Sequence, residues 1–232
     1  MLLVAAVAAT APRASEVVAL AAPPNAPWQP LRFRNAPSET RYSAAELDGV
    51  AAVRADSHCS ASALRLALGD LDLRRTPRLR WRWRVDRPLD VTDERSKRGD
   101  DFAARVYVSF RFDPERASFR ERIQHRLGRL LYRGEPPGRA INFVWASRAA
   151  PGSRWDNPYV PESKMLVLRS GAARGWRDED VDVLDLYVAL IGDEPPPVQG
   201  IAIMSDSDDS CQRGTAAFAD FRFESRAPAV AP

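Results

Sequence analysis

The chain has 232 residues, 45% of them hydrophobic, and includes nine Phe, six Trp and five Tyr. This supply of large apolar side chains excludes an intrinsically disordered protein, and a chain of this length can form one all-β domain. The formal net charge is only +3, and even the densest run of arginines, over residues 116–133, is interrupted by other residues. Because a nucleic-acid-binding protein usually concentrates its basic residues in one stripe, the composition predicts no nucleic-acid partner.

The first eleven residues are apolar and have the length of the hydrophobic region of an export signal, which is too short to span a bilayer. Two interpretations are open: an export signal, which would place the protein in the periplasm or outside the cell, or an Ala-rich disordered tail. With the Pro-rich connector that follows, this leader occupies residues 1–27. We predict a single domain over residues 28–225, a loose tail over residues 226–232 and no transmembrane segment.

Alternation of apolar and polar residues predicts that most of the domain is β-structure. The clearest strand is residues 79–85, where Leu79, Trp81, Trp83 and Val85 alternate with arginines. Its apolar face needs a second sheet to cover it, so both tryptophans are predicted core residues. The same reasoning predicts strands at residues 64–68, 102–112, 141–146, 164–169, 200–205 and 216–223.

One of these strands is predicted to be irregular. In residues 216–223 the spacing of Phe218, Phe221 and Phe223 breaks strict alternation and predicts a β-bulge.

Helical spacing of apolar residues is found in residues 119–132 and 178–191, although the second segment could also be a strand in part. Many strands with one or two short helical inserts predict a mainly β fold, an antiparallel two-sheet jelly-roll-like sandwich.

Several segments, in this order along the chain, resemble the bacterial family catalogued as domain of unknown function 3047. The resemblance covers about residues 30–224 and is carried by residues 79–85, 98–110, 141–145, 164–171, 176–192 and 200–208. It implies an exported sandwich similar in outline to carbohydrate-binding jelly rolls. Because the family has no assigned role, the resemblance implies no activity.

Carboxylates gather in two segments. Asp100 and Asp101 precede Arg105 at the start of a predicted strand; Asp101 is interpreted either as the buried partner of an arginine such as Arg105 or as an acceptor for a sugar hydroxyl. Asp206 and Asp208 alternate as in loops that gather around Ca²⁺, so a calcium site and a turn held by Asp side chains both remain open. These four aspartates are also the candidate catalytic residues of an enzyme.

Two further pairs carry predictions. Trp155 and Tyr159 lie in a polar loop and could stack on a sugar ring or cap one end of the sandwich. Cys59 and Cys211 could form one disulfide or remain two buried thiols. With two histidines and no glycine-rich phosphate-binding motif in the sequence, neither a Ser/His/Asp triad nor a nucleotide site is favoured.

The sequence therefore predicts first a non-catalytic binding module for a carbohydrate or another polar ligand, using Asp101, Arg105, Trp155 and Tyr159. One alternative is a glycan-active hydrolase or lyase with a carboxylate pair. The other is a structural or interaction protein of the cell envelope. Calcium is the one cofactor that the pattern suggests, and the oligomeric state is left open.

Overall fold

The computed structural model describes residues 16–20, 27–33, 35–131 and 136–227. The export signal predicted for the first eleven residues lies outside them. Within the described part of the chain there are thirteen strands and two α-helices. The strands are β1 (Val17–Ala19), β2 (Gln29–Arg32), β3 (Arg41–Leu47), β4 (Val50–His58), β5 (Ala61–Leu71), β6 (Arg78–Arg87), β7 (Ala104–Phe110), β8 (Ala140–Ala146), β9 (Arg154–Asp156), β10 (Ser163–Ser170), β11 (Ala173–Asp182), β12 (Val198–Asp206) and β13 (Arg213–Glu224). The helices are α1 (Phe119–Leu131) and α2 (Val183–Ile191).

The strands form two sheets, which confirms the predicted sandwich. The first sheet has the order β11-β6-β13-β4-β3, with β1 paired to β13. The second has the order β2-β5-β12-β7-β8-β10-β9. One pair departs from the antiparallel expectation, because β10 runs parallel to β8 and the short strand β9 lies antiparallel beside β10. The second sheet is therefore mixed.

The hydrophobic core lies between the sheets, where the predicted tryptophans are found. Trp81 and Trp83 are both buried on β6, and they pack against Phe143 and Trp145 of the second sheet with ring centroids 5.4 Å and 5.6 Å apart. The predicted bulge in β13 is present as a register shift between Ala219 and Arg222. It lets Phe218, Phe221 and Phe223 all point into the core.

Each helix begins at a polar cap. At α1 the Ser118 hydroxyl oxygen accepts the amide of Glu121, and a Glu121 carboxylate oxygen accepts the amide of Ser118, which is a capping box. At α2 the Asp182 carboxylate accepts the amide of Asp185. The helix predicted over residues 178–191 therefore starts only at Val183. Residues 178–182 belong to β11 because they pair with β6.

Described residues outside the range 28–225 also contact the sandwich. Residues of β1 pair with the end of β13, and Val18 and Leu20 pack against the core. Near the other end, Arg226 forms ion pairs with Asp182 and Asp185. None of the described helices is long and apolar enough to cross a membrane.

A disulfide joins Cys59 to Cys211. Cys59 follows β4 of the first sheet, and Cys211 lies in the connection from β12 of the second sheet to β13. The disulfide therefore fixes the segment that follows Asp206 to the first sheet.

Candidate binding cleft

An open cleft of about 960 Å³ crosses the outer face of the second sheet. Along each strand, successive residues face the core and the cleft in turn. The residues that face the cleft are mostly polar or small, whereas those that face the core are mostly large and apolar. Helix α1 and the segment before it form one wall, through residues such as Ala117, Glu121 and His125. The floor comes from three central strands: Ala63, Arg65 and Ala67 of β5; Gly200, Ala202 and Met204 of β12; Arg105, Tyr107 and Ser109 of β7.

Small side chains make part of this floor flat and apolar. Ala61, Ala63, Ala202 and Met204 form a cluster on the outer face of the sheet, away from the main core. At Gly200 an added Cβ would lie 2.5 Å from the carbonyl oxygen of Leu66, so the close approach of β12 to β5 requires a glycine. This part of the floor is therefore shallow and apolar, and the residues that border it carry polar groups.

One end of the cleft is built around the buried arginine Arg105, which is 1% exposed. Its Nε donates to Asp206 Oδ1 at 2.7 Å and its Nη1 to Asp100 Oδ1 at 3.3 Å, while Nη2 also contacts Asp206 and the Asp100 carbonyl. The guanidinium thus bridges two carboxylates from distant parts of the chain. Burial raises the pKa of both Asp206 and Asp100, against the lowering effect of Arg105.

Asp101 has a different role from its neighbour. Its carboxylate is completely buried and accepts the amides of Asp209 at 3.3 Å and Ser210 at 2.5 Å. The sequence suggested an ion pair between Asp101 and Arg105. Arg105 instead forms its ion pairs with Asp100 and Asp206. Asp101 therefore shapes the loop that carries Asp208 and Asp209, and both of these line the end of the cleft.

Tyr159 faces the cleft at the same end and is 51% exposed. Its hydroxyl lies 3.0 Å from the Lys97 carbonyl oxygen and 3.2 Å from Asp209 Oδ2. Burial and the charge of Asp209 raise the pKa of Tyr159 to about 12, so the hydroxyl keeps its proton and can act as a donor. Trp155 lies elsewhere: it packs on Phe102 in a separate apolar cluster and borders a smaller pocket of about 290 Å³.

The structure thus brings most of the predicted site residues to one end of the cleft: Asp100, Arg105, Asp206, Asp208 and Tyr159 line it directly. Asp101 supports the loop from beneath, and Trp155 is not among the lining residues. Sequence reasoning missed Tyr107, Asp209 and Arg65 as cleft residues. For Tyr107 and Arg65 the signal was present, since each alternates with apolar residues that face the core.

Three carboxylates at this end of the cleft lie close enough together to be candidate metal ligands. Asp101, Asp206 and Asp208 each place one oxygen within 4.8 Å of the others. Calcium prefers six to eight oxygen ligands. Asp206 is already bonded to a guanidinium and Asp101 to two amides, so these carboxylates fit a cation poorly. The calcium site suggested for Asp206 and Asp208 stays a prediction.

A model of the family described as "Protein of unknown function (DUF3047)" matches residues 26–222. The chain belongs to the DUF3047 family. The match spans both sheets of the sandwich, so the cleft of this DUF3047 chain is formed within the matched region. No curated protein matches the sequence.

Three solved structures are similar to this DUF3047 chain at low sequence identity. The family 11 carbohydrate-binding module of the cellulosomal cellulase Lic26A-Cel5E of Clostridium thermocellum has 6% identity and a TM-score of 0.46, over 88% of this chain and 91% of that one. A family 30 carbohydrate-binding module has 12% identity and a TM-score of 0.45, over 91% and 99%. Endoglucanase 3 of Trichoderma harzianum, from family GH12, has 9% identity and a TM-score of 0.40, over 93% and 99%. At these identities the similarity concerns the fold and says nothing about what this chain binds.

Proposed function

We propose that this DUF3047 chain is a non-catalytic module that binds a carbohydrate in the cleft on its second sheet. The observation that carries the proposal is the combination, in one open cleft, of an apolar floor with hydrogen-bonding groups along its end. The C–H face of a sugar ring can rest on Ala63, Ala202 and Met204, while ring hydroxyls reach Tyr159, Asp208 and Asp209. Ligand sites commonly combine an apolar lining with a few convergent polar groups.

The state of the carboxylates favours binding over hydrolysis. A glycosidase needs two carboxyl groups facing one cleft, one to protonate the leaving oxygen and one to attack or to activate water. Asp100 and Asp206 are both hydrogen-bonded by Arg105, and Asp101 accepts two backbone amides. Of the four candidate catalytic aspartates, only Asp208 faces the cleft without a hydrogen bond from Arg105 or from another residue's amide in the described part of the chain, and its own backbone amide donates to its carboxylate.

We also propose that the module acts in the periplasm or outside the cell. The Cys59–Cys211 disulfide supports this, because disulfides persist in oxidising compartments. The apolar pattern of the first eleven residues, which is typical of an export signal, points the same way.

The test is thermal unfolding of the purified chain against a panel of oligosaccharides, each with added Ca²⁺ or with EDTA. A glycan at about a hundredfold excess over its Kd adds about 2.7 kcal/mol to the free energy of unfolding, which raises the Tm by roughly 5–10 °C. The calcium and EDTA arms test the Asp206 and Asp208 site independently. Release of reducing ends from any glycan would instead support the hydrolase.

Two substitutions locate the binding. Tyr159→Ala and Asp209→Asn should each abolish most of the shift, since they remove a hydrogen-bonding hydroxyl and a carboxylate acceptor from the cleft. Asp178→Asn is the matched control, because Asp178 is an exposed carboxylate on β11 of the first sheet. If no glycan shifts the Tm, or if the control weakens the shift as much as Asp209→Asn does, the proposed function is wrong.

A further inference from the structure

Arg65 is a charged residue in the middle of the apolar floor. It lies on β5, with Gln29 of β2 on one side and Ala202 of β12 on the other. Leu64 and Leu66 before and after it point into the core, so its own side chain faces the cleft. It is half-buried there. The floor thus carries one positive charge among Ala63, Ala67 and Ala202.

Within the described part of the chain, the side chain of Arg65 has neither an ion pair nor a hydrogen bond. The other arginines of the cleft all have carboxylate partners: Arg105 with Asp100 and Asp206, Arg111 with Asp70, Arg116 with Asp193, and Arg139 with Glu121. Described arginines elsewhere that lack such partners, for example Arg87 and Arg98, are exposed to water. A half-buried cation without a partner is unfavourable, because it has lost water and gained no hydrogen bond.

The carboxylates of the cleft end are too far along the strand to compensate this charge. Asp206 pairs with Ala61, which is four residues from Arg65 on β5. Four residues of strand correspond to roughly 13 Å. Beyond about 8–10 Å, charges in water are largely screened at physiological salt. An anion at Arg65 would accordingly meet little repulsion from Asp206, whose own charge is paired with Arg105.

We infer that Arg65 receives a carboxylate of the ligand, and that the glycan class bound in this cleft is one that contains uronic-acid residues. A guanidinium presents two parallel N–H donors that match both oxygens of a carboxylate. The neighbouring alanines leave room for a sugar ring to approach the guanidinium. This inference rests on the proposed function, since it names the glycan that the same cleft takes.

The experiment measures the affinity of the full chain by calorimetry for oligogalacturonate and oligoglucuronate, and for the same oligomers after reduction of their carboxyl groups. The uronates should bind on the order of tenfold or more tightly than the reduced forms, because hydrogen bonds between charged groups exceed neutral ones. Arg65→Gln should abolish this difference, and Arg65→Lys should restore part of it. Arg87→Gln, at an exposed arginine of the first sheet, should retain the full difference.

The possible failures are distinguishable. If reduced and unreduced oligomers bind equally well, the inference is wrong and the proposed function stands. A preference for uronates that survives Arg65→Gln places the carboxylate elsewhere and also overturns the inference. A sulfated glycan without uronate is tested in the same way. If it binds more tightly than the uronates and loses that affinity in Arg65→Gln, Arg65 receives a sulfate and the uronate inference is wrong. If none of these oligomers binds, the inference is wrong, and the glycan panel decides separately whether the proposed function stands. Unfolding of Arg65→Gln by heat shows whether the variant is folded.

Discussion

Arg105 connects two segments that are separated by about a hundred residues of chain. A lone charge in its fully buried position would be strongly unfavourable, so Asp206 and Asp100 are needed as partners. The pair of carboxylates also orders the cleft, because Asp206 is the last residue of β12 and Asp100 precedes β7. We interpret this ion cluster as the frame of the cleft end and not as its reactive centre.

Asp208 is the residue at which ligand binding and stability are expected to oppose each other. Its burial and the nearby charge of Asp101 raise its pKa in the folded chain above the unfolded value of about 3.9. Between those two pKa values the folded chain binds more protons than the unfolded chain, so stability falls as pH rises through this window. At neutral pH the charged Asp208 is therefore destabilising.

Asp208→Asn should accordingly unfold at a higher denaturant concentration than the wild type at pH 7, and the difference should vanish near pH 3. Asp182→Asn is the opposite-sign control: burial raises the pKa of Asp182, but the hydrogen bonds from Arg226 and the Asp185 amide, together with the charges of Arg226 and Arg78, outweigh burial and the net pKa is lowered. That variant should lose stability at pH 7. Urea unfolding across pH 3–7 measures both. A destabilised Asp208→Asn at pH 7 would contradict the raised pKa.

At the level of single elements, the β3–β4 hairpin depends on its two-residue turn. Asp48 and Gly49 both have positive φ, at 53° and 73°, as a hairpin turn that follows the strand twist requires. No atom lies within 4 Å of a Cβ added at Gly49, so a substitution there acts through the backbone alone. Gly49→Val should cost about 1–2 kcal/mol, because a side chain is disfavoured in the left-handed region.

Gly49→Asn is the matched variant, since Asn tolerates positive φ and should cost clearly less than Val. Denaturant unfolding of the two variants beside the wild type gives both free energies. Equal losses would mean that side-chain size, and not φ, determines the effect, and the hairpin argument would then fail.

The same elements show what could be predicted from sequence and why. Residues 79–85 were predictable because large apolar residues alternate with arginines without interruption. The β3–β4 hairpin was missed because its strands are rich in alanine and carry little apolar contrast, although Asp48-Gly49 is itself a strong turn signal. Residues 178–182 were left open between helix and strand because the apolar spacing runs on into α2. Ion pairs between neighbouring strands, such as Arg82–Asp178, indicate instead that residues 178–182 form a strand.

The cleft was less predictable than the sheets. Its carboxylates were identified as candidates, but their partners come from pairings over long sequence distances that no local pattern encodes. Asp100 and Asp206 lie on either side of one guanidinium only because β7 and β12 are neighbours in the second sheet. Arg65 was visible as the polar member of an alternating strand, and its lack of a partner became apparent only with the surrounding fold.

At the scale of the whole molecule, the Cys59–Cys211 disulfide links the end of β4 to the loop that presents Asp208 and Asp209. The bonded residues are 152 positions apart in the chain. A cross-link over so long a loop restricts the unfolded chain strongly, and its removal commonly costs about 2–5 kcal/mol. Because the loop amides of Asp209 and Ser210 also bind Asp101, the disulfide and the buried carboxylate hold the same segment from two sides.

Replacing both cysteines by alanine, or reducing the disulfide in the wild type, should therefore lower the free energy of unfolding by about 2–5 kcal/mol. It should also weaken glycan binding at the cleft end, since Asp208 and Asp209 lose one of their two supports. Denaturant unfolding with and without a phosphine reductant measures the first effect, and calorimetry on the folded variant measures the second. The alanine variant must not respond to the reductant, which controls for other effects of the reagent. A variant as stable as the wild type would show that Asp101 alone fixes the loop.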